Sequence, residues 1–141
     1  MTASLPVREA HRAPNGTVTR RLLIVEDDPD TAELLRTILN DERIDISVER
    51  TGLRGVERAW AWKPDVIVLD HMLPELSGFD IFLELRKACF SPRIILVSAH
   101  AEPGLLAFAK TLGAFACVRK PLDRKLRTTV FEALGFGAGG D

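Results

Sequence analysis

Residues 22–29 read LLIVEDDP, and this stretch contains the pattern that decides the fold. Its four consecutive apolar residues, 22–25, predict a strand buried on both faces, as in a parallel sheet. Asp28 and Pro29 then signal a helix start, because a carboxylate caps free N–H groups and proline suits the first helical position. A buried strand followed directly by a helix is typical of a βα unit.

The same pattern recurs along the chain. Residues 66–69 and 94–97 are further runs of four apolar residues, each followed by apolar residues at helical spacing. Alternation over 45–50 and a short apolar segment at 115–118 predict two more strands. Five strands alternating with five helices predict an α/β protein with a five-stranded, doubly wound parallel sheet, (βα)5.

Composition limits the function classes. The chain has 141 residues, 46% of them apolar, with 19 Lys and Arg against 20 Asp and Glu, for a net charge of −1. These values fit one globular domain and exclude wholesale disorder and a disulfide scaffold. They also argue against direct DNA binding and against a membrane span. Cys89 and Cys117 lack metal-ligand spacing, so we expect reduced thiols and a cytoplasmic protein.

The two ends differ in composition from the middle. Residues 1–20 contain prolines, a glycine and no apolar signal-peptide core, which predicts a flexible tail. Residues 21–135 form the predicted domain, and 136–141 form a Gly-rich C-terminal tail. The sequence therefore predicts a stand-alone domain without an output domain.

Polar side chains follow four of the strands. In open parallel sheets the binding site lies at the carboxyl ends of the strands. The residues found there are Glu26, Asp27 and Asp28 after the first strand, Asp70 after the third, Ser98 after the fourth and Lys120 after the fifth. Crowded carboxylates with all-oxygen ligands favour a hard cation such as Mg²⁺.

Asp70 suggests group-transfer chemistry. A carboxylate can act as the covalent nucleophile that forms an aspartyl phosphate. The phosphoryl oxygens would then be stabilised by Mg²⁺, by the Lys120 ammonium and by the Ser98 hydroxyl or a backbone N–H. The alternative is that acidic residues after strands only cap helices or lie in solvated loops. That alternative explains Asp28 well but explains Ser98 and Lys120 poorly.

Four sequence stretches together resemble the receiver domain of two-component response regulators. They are LLIVEDDPD at 22–30, PDVIVLDHMLPELSGFD at 64–80, RIILVSAH at 93–100 and VRKP at 118–121. The resemblance extends from Arg21 to about Leu134. It implies a flavodoxin-like receiver fold with strand order 2-1-3-4-5.

The resemblance also assigns roles to single residues. It implies that Asp70 is the phosphoacceptor, that Ser98 and Lys120 bind the phosphoryl group and switch, and that the bond before Pro121 is cis. The implied ligands of Mg²⁺, with Mn²⁺ as an alternative ion, are Glu26, Asp27, Asp70 and the backbone carbonyl of Met72.

Some positions vary from the family pattern. Cys117 stands where a Tyr or Phe usually acts as a switch, and the chain contains no Tyr. Phe115 is a poor substitute, because we expect it on the opposite face of the sheet from Cys117. Met72 and His100 occupy variable positions that, by resemblance, tune the lifetime of the phosphoryl group.

The expected function is that of a phosphoacceptor in a two-component system or phosphorelay. A sensor histidine kinase or histidine phosphotransfer protein would phosphorylate Asp70. A downstream protein would bind the face formed by helix four, strand five and helix five, with Arg124, Lys125 and Arg127 as its charged rim. We expect a monomer or phosphorylation-dependent homodimer that dephosphorylates itself and is not a turnover enzyme.

Three other functions compete with this interpretation. One is a receiver-like interaction module that works without phosphorylation. A Mg²⁺ phosphohydrolase would need a second Asp where Met72 stands, and a nucleotide-binding domain would need a Gly-rich loop after the first strand, which this sequence lacks.

Overall fold

The computed structural model describes residues 11–12, 16, 18–70, 73, 78–87, 92–99, 103–111 and 113–136. Its strands are β1 (His11–Arg12), β2 (Val18–Val25), β3 (Ile44–Glu49), β4 (Val66–Asp70), β5 (Arg93–Ser98) and β6 (Ala116–Arg119). Its helices are α1 (Pro29–Leu39), α2 (Gly52–Trp62), α3 (Gly78–Leu85), α4 (Pro103–Thr111) and α5 (Arg124–Ala133).

Five of the strands form one parallel sheet in the spatial order β3-β2-β4-β5-β6. Counted along the chain, the parallel strands therefore have the order 2-1-3-4-5, which confirms the predicted fold. The register pairs Val25 with Glu49 on one side and with Leu69 on the other. Asp70 pairs with Val97, so the carboxyl ends of the central strands lie at one edge.

The first parallel strand begins earlier than the apolar pattern indicates. The apolar run starts at Leu22, whereas β2 starts at Val18, inside the segment for which the sequence predicted a tail. Its first residues pair antiparallel with β1, with Thr19 opposite His11. Polar residues can form such an edge extension through backbone hydrogen bonds, which leave no apolar signal in the sequence.

The core lies on both faces of the sheet. Alternate residues of β2 point to opposite faces, so Leu22 and Ile24 belong to one cluster and Leu23 and Val25 to the other. The first cluster, here called the α1–α5 core, includes Phe131 and side chains of both helices. The second, called the α2–α3–α4 core, includes Ala59, Phe82 and Ala109. This two-sided burial explains why the strands are continuously apolar.

Short polar residues cap the helices at their starts. The carboxylate of Asp28 accepts a hydrogen bond from the Thr31 N–H, and the carboxylate of Asp123 accepts one from the Lys125 N–H. These contacts satisfy N–H groups that have no partner inside the helix. Within the part of the chain that the structure describes, no helix has the length and apolar character needed to cross a bilayer.

Gly55 allows α2 to approach β2 closely. A Cβ atom built at this position would lie 2.8 Å from Cγ2 of Val25, a fully packed side chain of the α2–α3–α4 core. We expect Gly55→Ala to lower the free energy of unfolding by about 1–3 kcal/mol, the usual effect of overpacking. Chemical denaturation measures this change.

Gly104 provides the matched control. It lies exposed in α4, and a Cβ atom built there meets nothing within 4 Å. Gly104→Ala is therefore expected to leave stability unchanged or to raise it by up to about 1 kcal/mol, because alanine favours the helix. Equal effects of the two substitutions would contradict the close approach of α2 to β2.

Asp41 connects the end of α1 with α5 through two arginines. Its carboxylate accepts hydrogen bonds from the Arg43 backbone N–H at 2.8 Å, from Arg43 Nε at 2.9 Å and from Arg43 Nη2 at 3.0 Å. Arg127 Nη2 lies 3.6 Å from the same carboxylate. The Arg43 hydrogen bonds are the main reason why the pKa of Asp41 lies below its ordinary value of 3.8.

This lowered pKa predicts a pH dependence of stability. Because the carboxylate binds a proton less readily in the folded than in the unfolded chain, its contribution is complete above pH 3.8 and is lost as the pH falls through the folded-state pKa. We expect Asp41→Asn to cost about 1–2 kcal/mol at pH 7. Urea denaturation of both proteins from pH 7 to pH 2.5 should show the difference shrinking only in the acid range. A difference that is constant with pH would contradict this prediction.

Candidate functional site

Three carboxylates meet at the carboxyl edge of the sheet. Glu26 and Asp27 follow β2, and Asp70 ends β4, the neighbouring strand. One oxygen of each lies within 4.8 Å of one of each of the other two. Glu26 and Asp70 are buried, with 2% and 5% of their surface exposed, and Asp27 is half-buried. The structure thus brings together the three side chains that the sequence proposed as metal ligands.

Lys120 directs its ammonium group at this cluster. Its Nζ lies 3.8 Å from Oε1 of Glu26 and 3.7 Å from Oδ2 of Asp70. The Lys120 backbone N–H donates to the Ser98 carbonyl at 2.8 Å, which fixes the start of the turn after β6 against the end of β5. The following Lys120–Pro121 bond is cis.

The surroundings of Glu26 in this cluster raise its pKa. Burial raises its pKa from 4.5 to about 7, and the neighbouring Asp70 adds to the rise. The Asp28 N–H, which donates to Oε2 of Glu26 at 3.1 Å, and the Lys120 charge both oppose it. Three carboxylates and one ammonium group meet here, an arrangement that suits the binding of a cation.

Asp28 belongs to the helix start rather than to the carboxylate cluster. Its Oδ2 accepts from the Thr31 N–H at 2.8 Å and from the Thr31 hydroxyl at 2.6 Å. These hydrogen bonds lower its pKa. The helix-cap interpretation is therefore correct for Asp28.

Ser98 lies at the end of β5 and is 2% exposed. Its strand neighbour Val97 pairs with Asp70, so Ser98 is one residue beyond the level of the Asp70 carboxylate. Met72 and His100 lie outside the described residues. The roles of the Met72 carbonyl and of both lifetime-tuning side chains therefore stay predictions.

Cys117 and Phe115 pack against different faces of the sheet. Cys117 contacts the α2–α3–α4 core, and burial raises its thiol pKa. Phe115 contacts the α1–α5 core, and the Arg93 guanidinium lies 5.1 Å from its ring centroid. Residues two apart in a regular strand share a face, so the separation arises because Phe115 precedes β6, which starts at Ala116. Phe115 therefore does not take the place of the aromatic residue that the family usually has at the position of Cys117.

Sequence reasoning missed Arg50, which it treated only as the end of a strand. Its Nε and Nη2 donate to the backbone carbonyl of Asp27 at 3.0 and 2.8 Å. No motif indicates this contact, since it depends on β3 lying beside β2.

Comparisons with known proteins show the family to which this chain belongs. The model of the response regulator receiver domain family matches residues 22–131. The chain belongs to this family. The matched segment runs from the buried part of β2 to α5 and so includes every strand end described above.

Curated relatives of this receiver domain are mostly response regulators. The DNA-binding response regulator MtrA of Mycolicibacterium smegmatis is 32% identical over 109 residues, covering 77% of this chain and 47% of that protein. The protein-glutamate methylesterase/protein-glutamine glutaminase 5 of Myxococcus xanthus is 34% identical, covering 72% of this chain and 30% of that protein. The chain thus spans about half the length of MtrA and less of the second relative.

Solved receiver structures resemble the fold closely. The signal receiver domain of a protein described as a Luxo repressor from Vibrio parahaemolyticus has a TM-score of 0.80 and 29% identity, covering 84% of this chain and 92% of that one. A CheX-CheY-BeF3-Mg²⁺ complex from Borrelia burgdorferi has a TM-score of 0.75 and 25% identity, covering 84% and 90%.

Proposed function

We propose that this receiver domain accepts a phosphoryl group on Asp70 from a phosphohistidine of a sensor kinase or phosphotransfer protein. The observation that carries the proposal is the convergence of the Glu26, Asp27 and Asp70 carboxylates within 4.8 Å, with Lys120 Nζ 3.7 Å from Asp70. A buried carboxylate beside other acids and a lysine suits phosphoryl transfer better than it suits stability, because burying like charges is costly.

The donor set fits Mg²⁺. It consists of three clustered carboxylates, whose oxygens are ligands that Mg²⁺ prefers. Glu26, Asp27 and Asp70 would hold the ion, and the Met72 carbonyl is a further proposed ligand. When bound, Mg²⁺ neutralises negative charge on the transferring phosphoryl group.

The chain's own residues perform the remaining steps. An oxygen of Asp70 attacks phosphorus and forms an O–P bond while the P–N bond to the donor histidine breaks. The imidazole nitrogen keeps the electron pair of the broken bond. Lys120 stabilises one phosphoryl oxygen, and the Ser98 hydroxyl stabilises another. In this proposal the Asp70 acyl phosphate later hydrolyses, so the domain is a phosphoacceptor and not a turnover enzyme.

The proposed output is a change at a protein-binding surface. Movement of Ser98 toward the phosphoryl group would shift the segment between β5 and α4 and so bias the face formed by α4, β6 and α5. A downstream protein or a second phosphorylated copy is the proposed partner at this face. The proposed compartment is the cytoplasm.

A receiver-like interaction module that works without phosphorylation is the second candidate. The observation that favours it is Cys117, which packs in the α2–α3–α4 core where the family usually has an aromatic switch. The intact acidic cluster with Lys120 favours the first candidate.

Intact mass tests the proposal directly. The protein is incubated with a small acyl-phosphate donor, either with Mg²⁺ or with excess chelator. Addition of one phosphoryl group only with Mg²⁺ is the expected result. Borohydride reduction of the acyl phosphate followed by peptide mapping should locate it at position 70. No adduct from this donor or from several kinases would favour the interaction module.

A further inference from the structure

Arg50 contacts the proposed metal site from outside its ligand set. It follows the last residue of β3, its side chain is exposed, and its guanidinium makes a two-pronged contact with one backbone oxygen, that of Asp27. A planar guanidinium that donates twice to one group restricts the orientation of that group more than a single donor does. This residue has no role in the phosphoryl chemistry described above.

The group that Arg50 holds is the peptide between Asp27 and Asp28. The carbonyl of this peptide accepts from Arg50, and its N–H donates to Oε2 of Glu26 at 3.1 Å. Both polar ends of one peptide are thus fixed, one of them by a proposed metal ligand. The two contacts restrict ψ of Asp27 and φ of Asp28, and so they hold in place the Asp27 Cα from which the carboxylate projects.

The sheet supplies Arg50 at the required place. The β2–β3 ladder continues past β2, because the Glu26 N–H donates to the Glu49 carbonyl at 3.0 Å. Continued by one residue, the register places Arg50 opposite Glu26, and its side chain reaches the carbonyl of the next residue, Asp27. Thr51 then caps α2 by accepting from the Arg54 N–H, which fixes the backbone on the other side of Arg50.

We propose that Arg50 is a positioning residue that holds the Asp27–Asp28 peptide so that the Asp27 carboxylate is oriented to bind Mg²⁺. This inference rests on the proposed function, since it concerns the same site. Removal of outer-shell partners typically weakens metal binding about 10–100-fold. Arg50 is exposed and water can replace part of its contact, so we expect a rise in the Mg²⁺ Kd of about 3–10-fold.

Loss of the Arg50 charge and loss of its two hydrogen bonds are expected to have opposite effects on Mg²⁺ affinity. A cation near the site repels Mg²⁺, so loss of its charge alone would tighten binding. Loss of the oriented peptide would weaken binding. Arg50→Lys separates the two effects, because it keeps the charge and removes the planar pair of donors. Arg54→Ala is the matched control, because it removes the same charge from an exposed side chain in the first turn of α2.

Isothermal titration calorimetry with Mg²⁺ alone provides the test, and melting temperatures without Mg²⁺ show that each variant is folded. We expect Arg50→Ala and Arg50→Lys both to raise the Kd about 3–10-fold and Arg54→Ala to change it less than about twofold. If Arg50→Ala binds Mg²⁺ as tightly as the wild-type chain or more tightly, the inference about Arg50 is wrong, whereas the proposed metal site is unaffected. Absence of Mg²⁺ binding by the wild-type chain overturns the proposed metal site, and the inference with it.

Discussion

Asp70→Asn is expected to abolish the Mg²⁺-dependent phosphoryl adduct. The amide cannot supply the anionic oxygen that attacks phosphorus. We expect the rate of adduct formation to fall on the order of a thousandfold or more, as for loss of other nucleophiles. The substitution keeps the shape of a side chain that is 5% exposed. It also removes one of three clustered negative charges, so the protein should remain folded.

Intact mass over a time course measures this effect, with circular dichroism to establish folding. Asp45→Asn is the control, because it removes the same charge from an exposed residue of β3. We expect this control to be phosphorylated at the wild-type rate. Adduct formation by Asp70→Asn at more than a small fraction of that rate would show that another residue accepts the phosphoryl group.

Phe131→Ala is expected to cause the largest loss of stability. Phe131 is fully buried in the α1–α5 core, its ring meets that of Phe136 edge-on with centroids 5.5 Å apart, and the Arg127 guanidinium lies 4.2 Å from its centroid. Truncation of such a ring leaves a cavity and costs about 3–5 kcal/mol. The total free energy of unfolding of native proteins is only about 5–15 kcal/mol, so the variant should be marginally stable.

Urea denaturation followed by tryptophan fluorescence measures the loss. Phe131→Leu keeps most of the volume and is expected to cost about 1.5 kcal/mol or less. A loss below about 1 kcal/mol for the alanine variant would contradict the burial of this ring. The two variants together separate volume from the contacts of the aromatic face.

Much of the fold could be predicted from the sequence because burial on both sheet faces leaves a local signal. The apolar runs that form the inner parts of β2, β4 and β5 have no polar alternation, and Asp28 and Asp123 mark helix starts. The start of β2 at Val18 and the strand β1 could not be predicted in the same way. Their pairing depends on backbone hydrogen bonds between polar segments.

The charged residues of α5 show that side-chain contacts between distant segments could not be predicted from the sequence either. The sequence grouped Arg127 with Arg124 and Lys125 as surface charges. In the structure, Arg127 Nη1 instead donates to the carbonyl of Ile38 at 2.7 Å, and so it caps the end of α1. Helical spacing gives the face on which a residue lies, but the unpaired carbonyl that it meets belongs to a helix almost ninety residues away.

The sequence by itself determined the residue types of the candidate site and their order along the chain. A carboxylate, a hydroxyl or an ammonium after a buried strand is a local feature, and parallel strands bring such ends to one edge. Only the tertiary structure decided the distances between the carboxylates, the burial that raises the pKa of Glu26 and the contact of Arg50 with Asp27. These depend on which strands are neighbours and in what register, and hydrogen bonds between distant segments set both.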